Sequence, residues 1–298
     1  MSIAKTLFVA IDKVFEPKQN PRALQKKLSD VQCVKDIMYD EKFSQALDLY
    51  FMPREGKPYP VIFEIHGGGF AAGDKMYRDC YCRFLAKRTG AMVVNVNYGV
   101  GTENPCPLPM WHLASAVNWV YHNASKYNLD MTKFVVTGDS AGAFYACVLA
   151  VLQDDVELQK LFECKFDARI TATVLNCGVY DLTAYLHKHS LLFNSICKEF
   201  LGESVKQATD NKYLDGVNLL RRIGENFPPS FVIYAQKDIF CKGQGEQLVE
   251  KLQERQVPVE YVFSTTLLAN HTYSLVWSKI AQQTNAQMIN FLKKHFEA

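Results

Sequence analysis

The sequence predicts a single α/β domain built around an open, mostly parallel β-sheet. Short β-branched or aromatic runs alternate along the chain with longer segments of helical period. The runs at residues 61–63 and 134–136 are apolar throughout, as is typical of central parallel strands that are covered on both faces. A chain of 298 residues with 48% hydrophobic residues can form one large core, so we expect one domain over residues 1–298.

Eight strands are expected, and their spacing predicts how they pair. The first two, at residues 33–39 and 46–52, follow each other without room for a helix, which indicates an antiparallel start. The later strands are separated by stretches long enough for crossover helices and are expected at residues 60–65, 91–98, 133–138, 170–176, 230–235 and 258–264. Helices are expected near residues 74–88, 110–127, 141–153, 243–255 and 273–296.

One connection in this pattern is unusually long. About fifty residues separate the strand that ends near residue 176 from the strand that begins at residue 230, which is more than a crossover helix needs. We interpret residues 178–228 as an inserted helical cap; the alternative is two ordinary packing helices without a role as a lid. A helix is expected around residues 213–223, and the apolar side chains of the segment include Tyr180, Tyr185, Leu186, Leu191, Leu192 and Phe193.

Composition limits the partners that we expect. The formal net charge is +2, and the basic residues are spread along the chain, which argues against nucleic acid as a partner. The apolar stretch at residues 7–11 is too short for a signal peptide, and no segment approaches the roughly 20 apolar residues that cross a bilayer. Nine cysteines without C-x-x-C spacing favour a reducing environment. We therefore expect a cytoplasmic protein without membrane contact; its oligomeric state stays open.

The strongest chemical signal is Gly138-Asp139-Ser140-Ala141-Gly142, a G-x-S-x-G pattern between a strand-like run and a small-residue helical run. Small residues two positions before and after the serine allow the strand to turn sharply into the helix. Such a turn lifts Ser140 Oγ clear of the sheet, at a helix N-terminus where amide groups point outward. We predict that Ser140 is a nucleophile; a purely structural turn is the alternative.

A glycine run, His66-Gly67-Gly68-Gly69, follows the strand expected at residues 60–65. Successive glycines let the backbone approach a ligand and direct amide groups at one point, which suits the negative oxygen of a tetrahedral intermediate. We predict an oxyanion hole formed by the amides of Gly68, Gly69 and Ala141, and interpret His66 as a residue that positions the loop. A plain flexible loop is the alternative, but the carboxyl end of a strand is where open α/β sheets place their sites.

A serine nucleophile needs a histidine base. Where a G-x-S-x-G turn joins a strand to a helix of an α/β sheet, the base follows the serine and the carboxylate in the chain. His271 lies between the last strand and the last helix, in a loop where a base is required. His295 belongs to the charged tail of the last helix and is expected to be solvated. His187 and His189 lie in the expected cap and could bind a metal, but no further ligand cluster accompanies them.

The carboxylate that orients the base should follow the strand at residues 230–235. Asp238 occupies that loop, and Asp181, which follows an earlier strand, is its rival.

From about residue 36 to the C-terminus, the sequence resembles the hormone-sensitive-lipase-like family of esterases. The residues that carry this resemblance are His66-Gly67-Gly68-Gly69, Gly138-Asp139-Ser140-Ala141-Gly142, Asp238 and His271. The resemblance implies an α/β-hydrolase fold with a cap, which residues 1–30 would join. It also implies a small-molecule carboxylic ester with a short to medium acyl group as substrate, the triad and oxyanion hole at the positions named above, and no metal or other cofactor.

Two departures from the family accompany this resemblance. After residue 98 the family usually continues Arg-Leu-Ala-Pro-Glu, whereas this chain reads Gly99-Val100-Gly101-Thr102-Glu103, and His112 stands where an acid is common. Neither departure touches a predicted catalytic position. Two other readings remain open: an amidase, peptidase or carbohydrate deacetylase that uses the same site, and a ligand-binding protein without catalysis.

Overall fold

The structure is a computed structural model that describes residues 2–42, 44–186, 190–204, 208 and 210–298, with residues 185 and 186 described by their backbone alone. Its eight strands are β1 (Gln32–Asp40), β2 (Gln45–Phe51), β3 (Tyr59–Ile65), β4 (Met92–Val96), β5 (Leu129–Asp139), β6 (Ala172–Asn176), β7 (Ser230–Ala235) and β8 (Val259–Ser264). They form one sheet in the order β1-β2-β4-β3-β5-β6-β7-β8. The pairs β1–β2 and β2–β4 are antiparallel, and the other neighbours are parallel. The predicted α/β-hydrolase sheet with its antiparallel start is confirmed.

Helices flank this sheet in the described part of the chain. They are α1 (Ile3–Gln19), α2 (Arg22–Lys27), α3 (Asp79–Thr89), α4 (Leu108–His122), α5 (Ala141–Leu152), α6 (Val156–Phe162), α7 (Thr183–Leu186), α8 (Leu191–Leu201), α9 (Gln244–Glu254) and α10 (Lys279–Glu297). Short 3-10 turns lie at Lys75–Arg78, Leu214–Gly216, Leu219–Arg221 and Tyr273–Leu275. Of these helices, none is both long and apolar enough to span a membrane.

The central strands of the sheet are buried on both faces, whereas the edge strands β1 and β8 are largely exposed. Ile62 and Val135 face a core shared with α3 and α10, whereas Phe63 and Phe134 face the larger core shared with α4 and α5. All twelve residues of α5 are buried. The continuous apolar runs of the sequence therefore belong to central strands covered on both sides, as predicted.

Several expected helices differ from the structure. The helix expected at residues 213–223 is replaced by two 3-10 turns, because the amide of Leu219 donates to the carbonyl of Tyr180 at 2.8 Å and ties the segment to the loop after β6. The helix expected at residues 273–296 begins only at Lys279, where Ser278 accepts the amide of Ala281 and caps the first turn. The helix expected at residues 74–88 starts with a 3-10 turn, and the helix expected at residues 110–127 ends at His122.

The N-terminal helix packs on α8, which lies in the long connection between β6 and β7. The amide of Ala4 donates to Ser195 Oγ at 2.9 Å, and the Ser2 hydroxyl donates to Glu199. Glu199 also accepts the amide of Thr102 at 3.0 Å. We call α1 and α8 together the α1/α8 pair; it lies over the carboxyl ends of the central strands, where Phe8 and Phe193 reach the same cavity as Ser140.

Candidate active site

Ser140 stands at the sharp turn between β5 and α5, residues 138–142, which we call the Ser140 turn. Its φ is 54° and its ψ is −118°, a strained backbone conformation for a residue with a side chain. The amide of Ser140 donates to the carbonyl of Asn176 at 2.9 Å and holds the turn. A Cβ atom at Gly142 would lie 2.0 Å from the carbonyl oxygen of Ile65, so glycine is required for α5 to pass β3 so closely.

His271 lies between Ser140 and Asp238 at hydrogen-bond distances. His271 Nε2 is 2.9 Å from Ser140 Oγ, and His271 Nδ1 is 2.9 Å from each carboxylate oxygen of Asp238. The amides of Phe240 and Cys241 also donate to Asp238 Oδ1, at 2.9 and 2.8 Å. Since an ionised carboxylate only accepts, Nδ1 carries the ring proton and Nε2 is left to accept the hydroxyl proton of Ser140.

The environment of Asp238 favours the ionised carboxylate. Burial would raise the pKa of this side chain, but its hydrogen bond to His271, its electrostatic attraction to that ring and the two amide donors together hold the pKa below its usual range. Asp238 is thus a buried, fixed anion against one edge of the imidazole. Such an arrangement orients the ring and stabilises the imidazolium that forms when the base takes a proton.

The other aspartate and histidine candidates for the site have other partners or lie outside the described residues. Asp181 Oδ1 accepts the amide of Ala184 at 3.1 Å and the Thr183 hydroxyl, so it starts α7. The expectation that His295 is solvated is wrong: its Nε2 lies 2.8 Å from Thr171 Oγ1, and burial lowers the pKa of its ring. His187 and His189, the possible metal pair, lie outside the described residues.

The glycine run forms a loop over residues 66–70, which we call the glycine loop. Gly68 and Gly69 have φ values of 134° and 60°, which glycine alone adopts without strain. The carbonyl of Gly68 accepts the amides of Ala71 and Ala72, while among the described residues the amides of Gly68 and Gly69 have no acceptor. Ala141, the first residue of α5, likewise has no intrahelical acceptor for its amide. All three amides lie at the edge where Ser140 stands and could receive a developing negative charge.

His66 is held within the glycine loop by its own surroundings. Its Nδ1 donates to the carbonyl of Gly67 at 2.7 Å, and its ring stacks on Tyr98 with centroids 4.5 Å apart. The Tyr98 hydroxyl donates to the carbonyl of His66 at 2.7 Å. Burial lowers the pKa of His66, so the ring is neutral. These contacts agree with a residue that positions the loop.

A small apolar cavity opens beside Ser140. Apart from Ser140, its lining is apolar; it includes Phe8, Gly69, Phe70, Ala141, Val179, Leu182, Phe193, Ile196, Phe240 and Cys241. The volume open to the centre of a water molecule is about 30 Å³. Phe8 lies against the glycine loop so closely that a Cβ atom at Gly69 would be 2.0 Å from its ring. The cavity beside Ser140 is therefore narrow as well as apolar.

Cys177 lies beside the base and its carboxylate. Its sulfur and the polar atoms of Asp238 and His271 all lie within 4.8 Å of one another, a spacing that a metal ion would accept. Burial, followed by the charge of Asp238, raises the pKa of the Cys177 thiol well above its ordinary value. The Asp238 carboxylate in this group already accepts His271 Nδ1–H and the amides of Phe240 and Cys241. In the described part of the chain the group is therefore held together by hydrogen bonds to this carboxylate.

Sequence reasoning missed two residues at this site. Phe8 belongs to a helix that only the resemblance connected to the cap, and its place in the cavity depends on packing across more than one hundred residues of chain. Arg78, buried beside the Ser140 turn, forms an ion pair with Asp139. The one signal for Arg78 was indirect: an acidic residue next to the serine, in a turn that must be buried, needs a partner.

Sequence comparisons identify a family and several relatives of this chain. The model of the BD-FAE family matches residues 47–252. A Mycobacterium tuberculosis protein named "Probable carboxylic ester hydrolase LipM" is 26% identical over 78% of this chain and 54% of its own length. Carboxylesterase NlhH from the same organism is 32% identical over 40% of this chain and 38% of its own length. This chain spans about half the length of the first curated relatives that it matches.

Solved structures share the fold. Inhibited esterase B from Lactobacillus rhamnosis matches with a TM-score of 0.79 at 21% identity, over 98% of this chain and 97% of that one. An esterase from the archaeon Pyrobaculum calidifontis matches with a TM-score of 0.74 at 22% identity, over 98% and 94% of the two chains.

Proposed function

This chain belongs to the BD-FAE family of hormone-sensitive-lipase-like α/β-hydrolases, and we propose that it hydrolyses small carboxylic esters with short to medium acyl groups through a serine nucleophile. The observation that carries the proposal is the hydrogen-bond chain from Asp238 through His271 to Ser140, which opens on an apolar cavity. Relatives named as esterases support the same reaction class.

The proposed reaction is acyl transfer. His271 Nε2 takes the proton of Ser140 as Oγ attacks the carbonyl carbon of the ester, while Asp238 holds the imidazole in the required tautomer. The alcohol leaves with the proton that His271 returns, and Ser140 carries the acyl group as an ester. Water, deprotonated by the same ring, then hydrolyses the acyl-enzyme and restores the hydroxyl.

The amides of Gly68, Gly69 and Ala141 are proposed to stabilise the negative oxygen of both tetrahedral intermediates. They are backbone groups fixed by a tight loop and a helix start, so they need no reorganisation when the charge develops. In this scheme the protein's own groups carry every step, and no metal or other cofactor takes part.

Residues 178–228, together with the first thirty residues, are proposed to form a cap over the cavity. Phe193 and Ile196 of α8 and Phe8 of α1 line the same cavity as Ser140. Because these side chains leave little volume, acyl chains that extend beyond the cavity must remain in water or displace the cap. We therefore propose that long-chain esters are poor substrates.

The cysteines support a reducing cellular compartment for the protein. All nine are free thiols, and seven of them are buried. Structural disulfides would be expected in many exported proteins of this cysteine content. We propose a cytoplasmic location, which fractionation of the native cells with an antibody to the protein would test.

A substrate panel tests the proposed activity. The intact protein and Ser140→Ala should be assayed with aryl acetate and aryl butyrate, an aryl anilide and an acetylated sugar. We expect rapid hydrolysis of the aryl esters by the intact protein alone. Preference for the anilide or the acetylated sugar would reassign the enzyme to an amidase or a deacetylase. If the intact protein bound aryl esters without turning them over, it would be a binding protein.

A further inference from the structure

Arg78 is buried next to the Ser140 turn and pairs with Asp139 in a two-pronged geometry. Arg78 Nε donates to Asp139 Oδ1 at 2.7 Å, and Arg78 Nη2 donates to Asp139 Oδ2 at 2.8 Å. The two side chains are only 6% and 5% exposed. Asp139 directly precedes Ser140, so whatever fixes its carboxylate also constrains the strained residue that follows.

The same carboxylate holds the glycine loop. The amide of Gly67 donates to Asp139 Oδ1 at 3.2 Å. A Cβ atom at Gly67 would lie 2.5 Å from Asp139 Oδ2, which shows how closely the loop backbone packs on this side chain. Gly67 immediately precedes Gly68 and Gly69, whose amides are the proposed oxyanion donors. Asp139 is therefore a direct hydrogen-bond link between the glycine loop and the Ser140 turn.

Arg78 has a third contact, to the N-terminal helix. Its Nη1 donates to Gln19 Oε1 at 3.0 Å, at the end of α1. The carbonyl of Gln19 in turn accepts the indole N–H of Trp277 at 2.7 Å. The guanidinium thus contacts the Ser140 turn on one side and, on the other, the helix that places Phe8 in the cavity.

A buried ion pair of this kind needs a reason other than stability. The desolvation of two charges offsets most of their attraction, so a well-packed apolar pair of the same volume is often as stable. Here two N–H groups of the guanidinium match the two carboxylate oxygens, and in this orientation Asp139 Oδ1 also accepts the amide of Gly67. Burial lowers the pKa of Arg78, but the charge of Asp139 outweighs it, so the guanidinium stays charged.

No other arginine supplies this contact in the described part of the chain. The segment after β4, where related esterases carry an arginine, reads Gly99-Val100-Gly101 here, and the amide of Gly99 donates to His112 Nδ1 at 2.9 Å instead. Burial lowers the pKa of His112 to about 4, so this ring is neutral and supplies no positive charge to Asp139.

We infer that Arg78 is a positioning residue for the proposed ester hydrolysis: through Asp139 it fixes the oxyanion amides of the glycine loop relative to Ser140 Oγ. The inference rests on the proposed function. A positioning role differs from a purely structural role in one respect: the loss of Arg78 should lower kcat even where the stability of the fold is unchanged.

The test uses the full chain and removes both charges of the ion pair together, so neither Arg78 nor Asp139 is left as an unpaired charge. The double variant Arg78→Met with Asp139→Asn is neutral at both positions. The introduced amide side chain keeps an acceptor for the amide of Gly67 but loses the guanidinium that orients it. We expect the melting temperature to stay near that of the unchanged protein, while kcat for an aryl butyrate falls about 10- to 100-fold and KM changes less than about threefold. A displacement of about 1 Å at reacting groups is enough for a loss of that size.

A second readout reports on the oxyanion amides themselves. An aryl phosphonate places a negative oxygen where the intermediate would have one, so its rate of inactivation should fall in parallel with kcat. Arg78→Lys, which keeps the charge but not the paired geometry, should give a smaller loss of both rates. Should the double variant unfold, Arg78→Lys carries the same test on its own.

The matched control is Arg83→Met, which removes an arginine from a partly buried pair with Asp79 on α3. It should lower the melting temperature without changing kcat. The inference would be overturned if both Arg78 variants kept the kcat and the inactivation rate of the unchanged protein. It would also be overturned if, at equal stability, they lost no more of either rate than the Arg83→Met control loses. If the protein without substitutions did not turn over aryl esters, the proposed function would be wrong, and the inference would fall with it.

Discussion

The Ser140 turn and the α1/α8 pair face each other across one cavity, but they are held in different ways. The polar groups of the turn have fixed partners: Ser140 N bonds the carbonyl of Asn176, and Asp139 bonds both Arg78 and Gly67. The α1/α8 pair relies on apolar packing with a few hydrogen bonds, and it leaves Leu191 77% exposed.

This difference separates the chemistry from the selection of substrates. Directional hydrogen bonds fix positions to within a fraction of an ångström, which proton transfer and oxyanion binding need. Apolar packing tolerates changes of side-chain volume at moderate cost, so it can set the size of the cavity without disturbing the reacting groups. Variants in the turn should therefore change kcat, whereas variants in the α1/α8 pair should change acyl preference.

The largest effect is expected for the nucleophile. Ser140→Ala should fold like the unchanged protein but lose about 10⁶-fold in kcat, because removal of a triad nucleophile leaves only binding and oxyanion stabilisation. Steady-state kinetics with aryl acetate and a melting curve would check both parts. Retention of more than a few per cent of the activity would show that another group attacks the ester.

The carboxylate should have the next largest effect. Asp238→Asn should reduce kcat about 10⁴-fold, because an amide in this place favours the wrong tautomer of the His271 ring. Asp181→Asn is the matched control, since Asp181 also follows a strand but bonds Ala184 and Thr183. It should act on stability alone, and a reversed ranking of the two variants would move the triad to Asp181.

The opposite wall should control acyl length. Each buried methylene contributes about 0.8 kcal/mol until the cavity is full, so kcat/KM should rise over the first carbons and then level or fall. Phe193→Ala should move the optimum to longer acyl groups, and Leu191→Ala, which lies two residues away on the exposed face of α8, should not. The measurement is kcat/KM for aryl esters of increasing acyl length, made with the unchanged protein, Phe193→Ala and Leu191→Ala. The same dependence on acyl length in all three proteins would mean that α8 does not bound the cavity.

The smallest effect concerns the docking of α1. Burial, partly offset by Arg78, raises the pKa of Asp12 to about 6 from an ordinary value of 3.8. The folded protein thus binds this proton more tightly than the unfolded chain, so the stability that protonation of Asp12 contributes at low pH is lost as the pH rises from about 4 to 6.

Asp12→Asn should therefore raise the melting temperature above pH 6 but leave it unchanged near pH 4. Because Asp12 is only half-buried, we expect about 1 kcal/mol, or about 2 °C. Asp215→Asn, at an exposed position, is the control. A change in kcat rather than in melting temperature would contradict the separation of the two regions.

The sequence predicts the sheet and the Ser140 turn well because their physical requirements are local. Continuous apolar runs mark strands buried on both faces, and a sharp strand-to-helix turn demands Gly138 and Gly142. The candidates Asp238 and His271 follow from chain order and from the rule that sites lie at the carboxyl ends of strands. Their catalytic roles remain predictions, although the structure brings their side chains together.

The N-terminal helix and the long connection between β6 and β7 are harder to predict because their structure depends on distant contacts. The segment 213–223 has helical periodicity, yet Leu219 bonds the backbone of Tyr180 and the helix does not form. Leu191, expected among the apolar side chains of the cap, is exposed, whereas Phe8 from the other end of the chain reaches the cavity. Local propensity carries no information on such pairings.

The most direct test of the account is covalent labelling of the nucleophile. A serine-directed aryl phosphonate should react with the intact protein in a one-to-one ratio, and peptide mass spectrometry should place the adduct on Ser140. His271→Ala should slow the reaction by orders of magnitude, because the hydroxyl then has no base within hydrogen-bond reach. An adduct on another residue, or labelling at the same rate without His271, would contradict the claim that Ser140 is a nucleophile activated by this histidine.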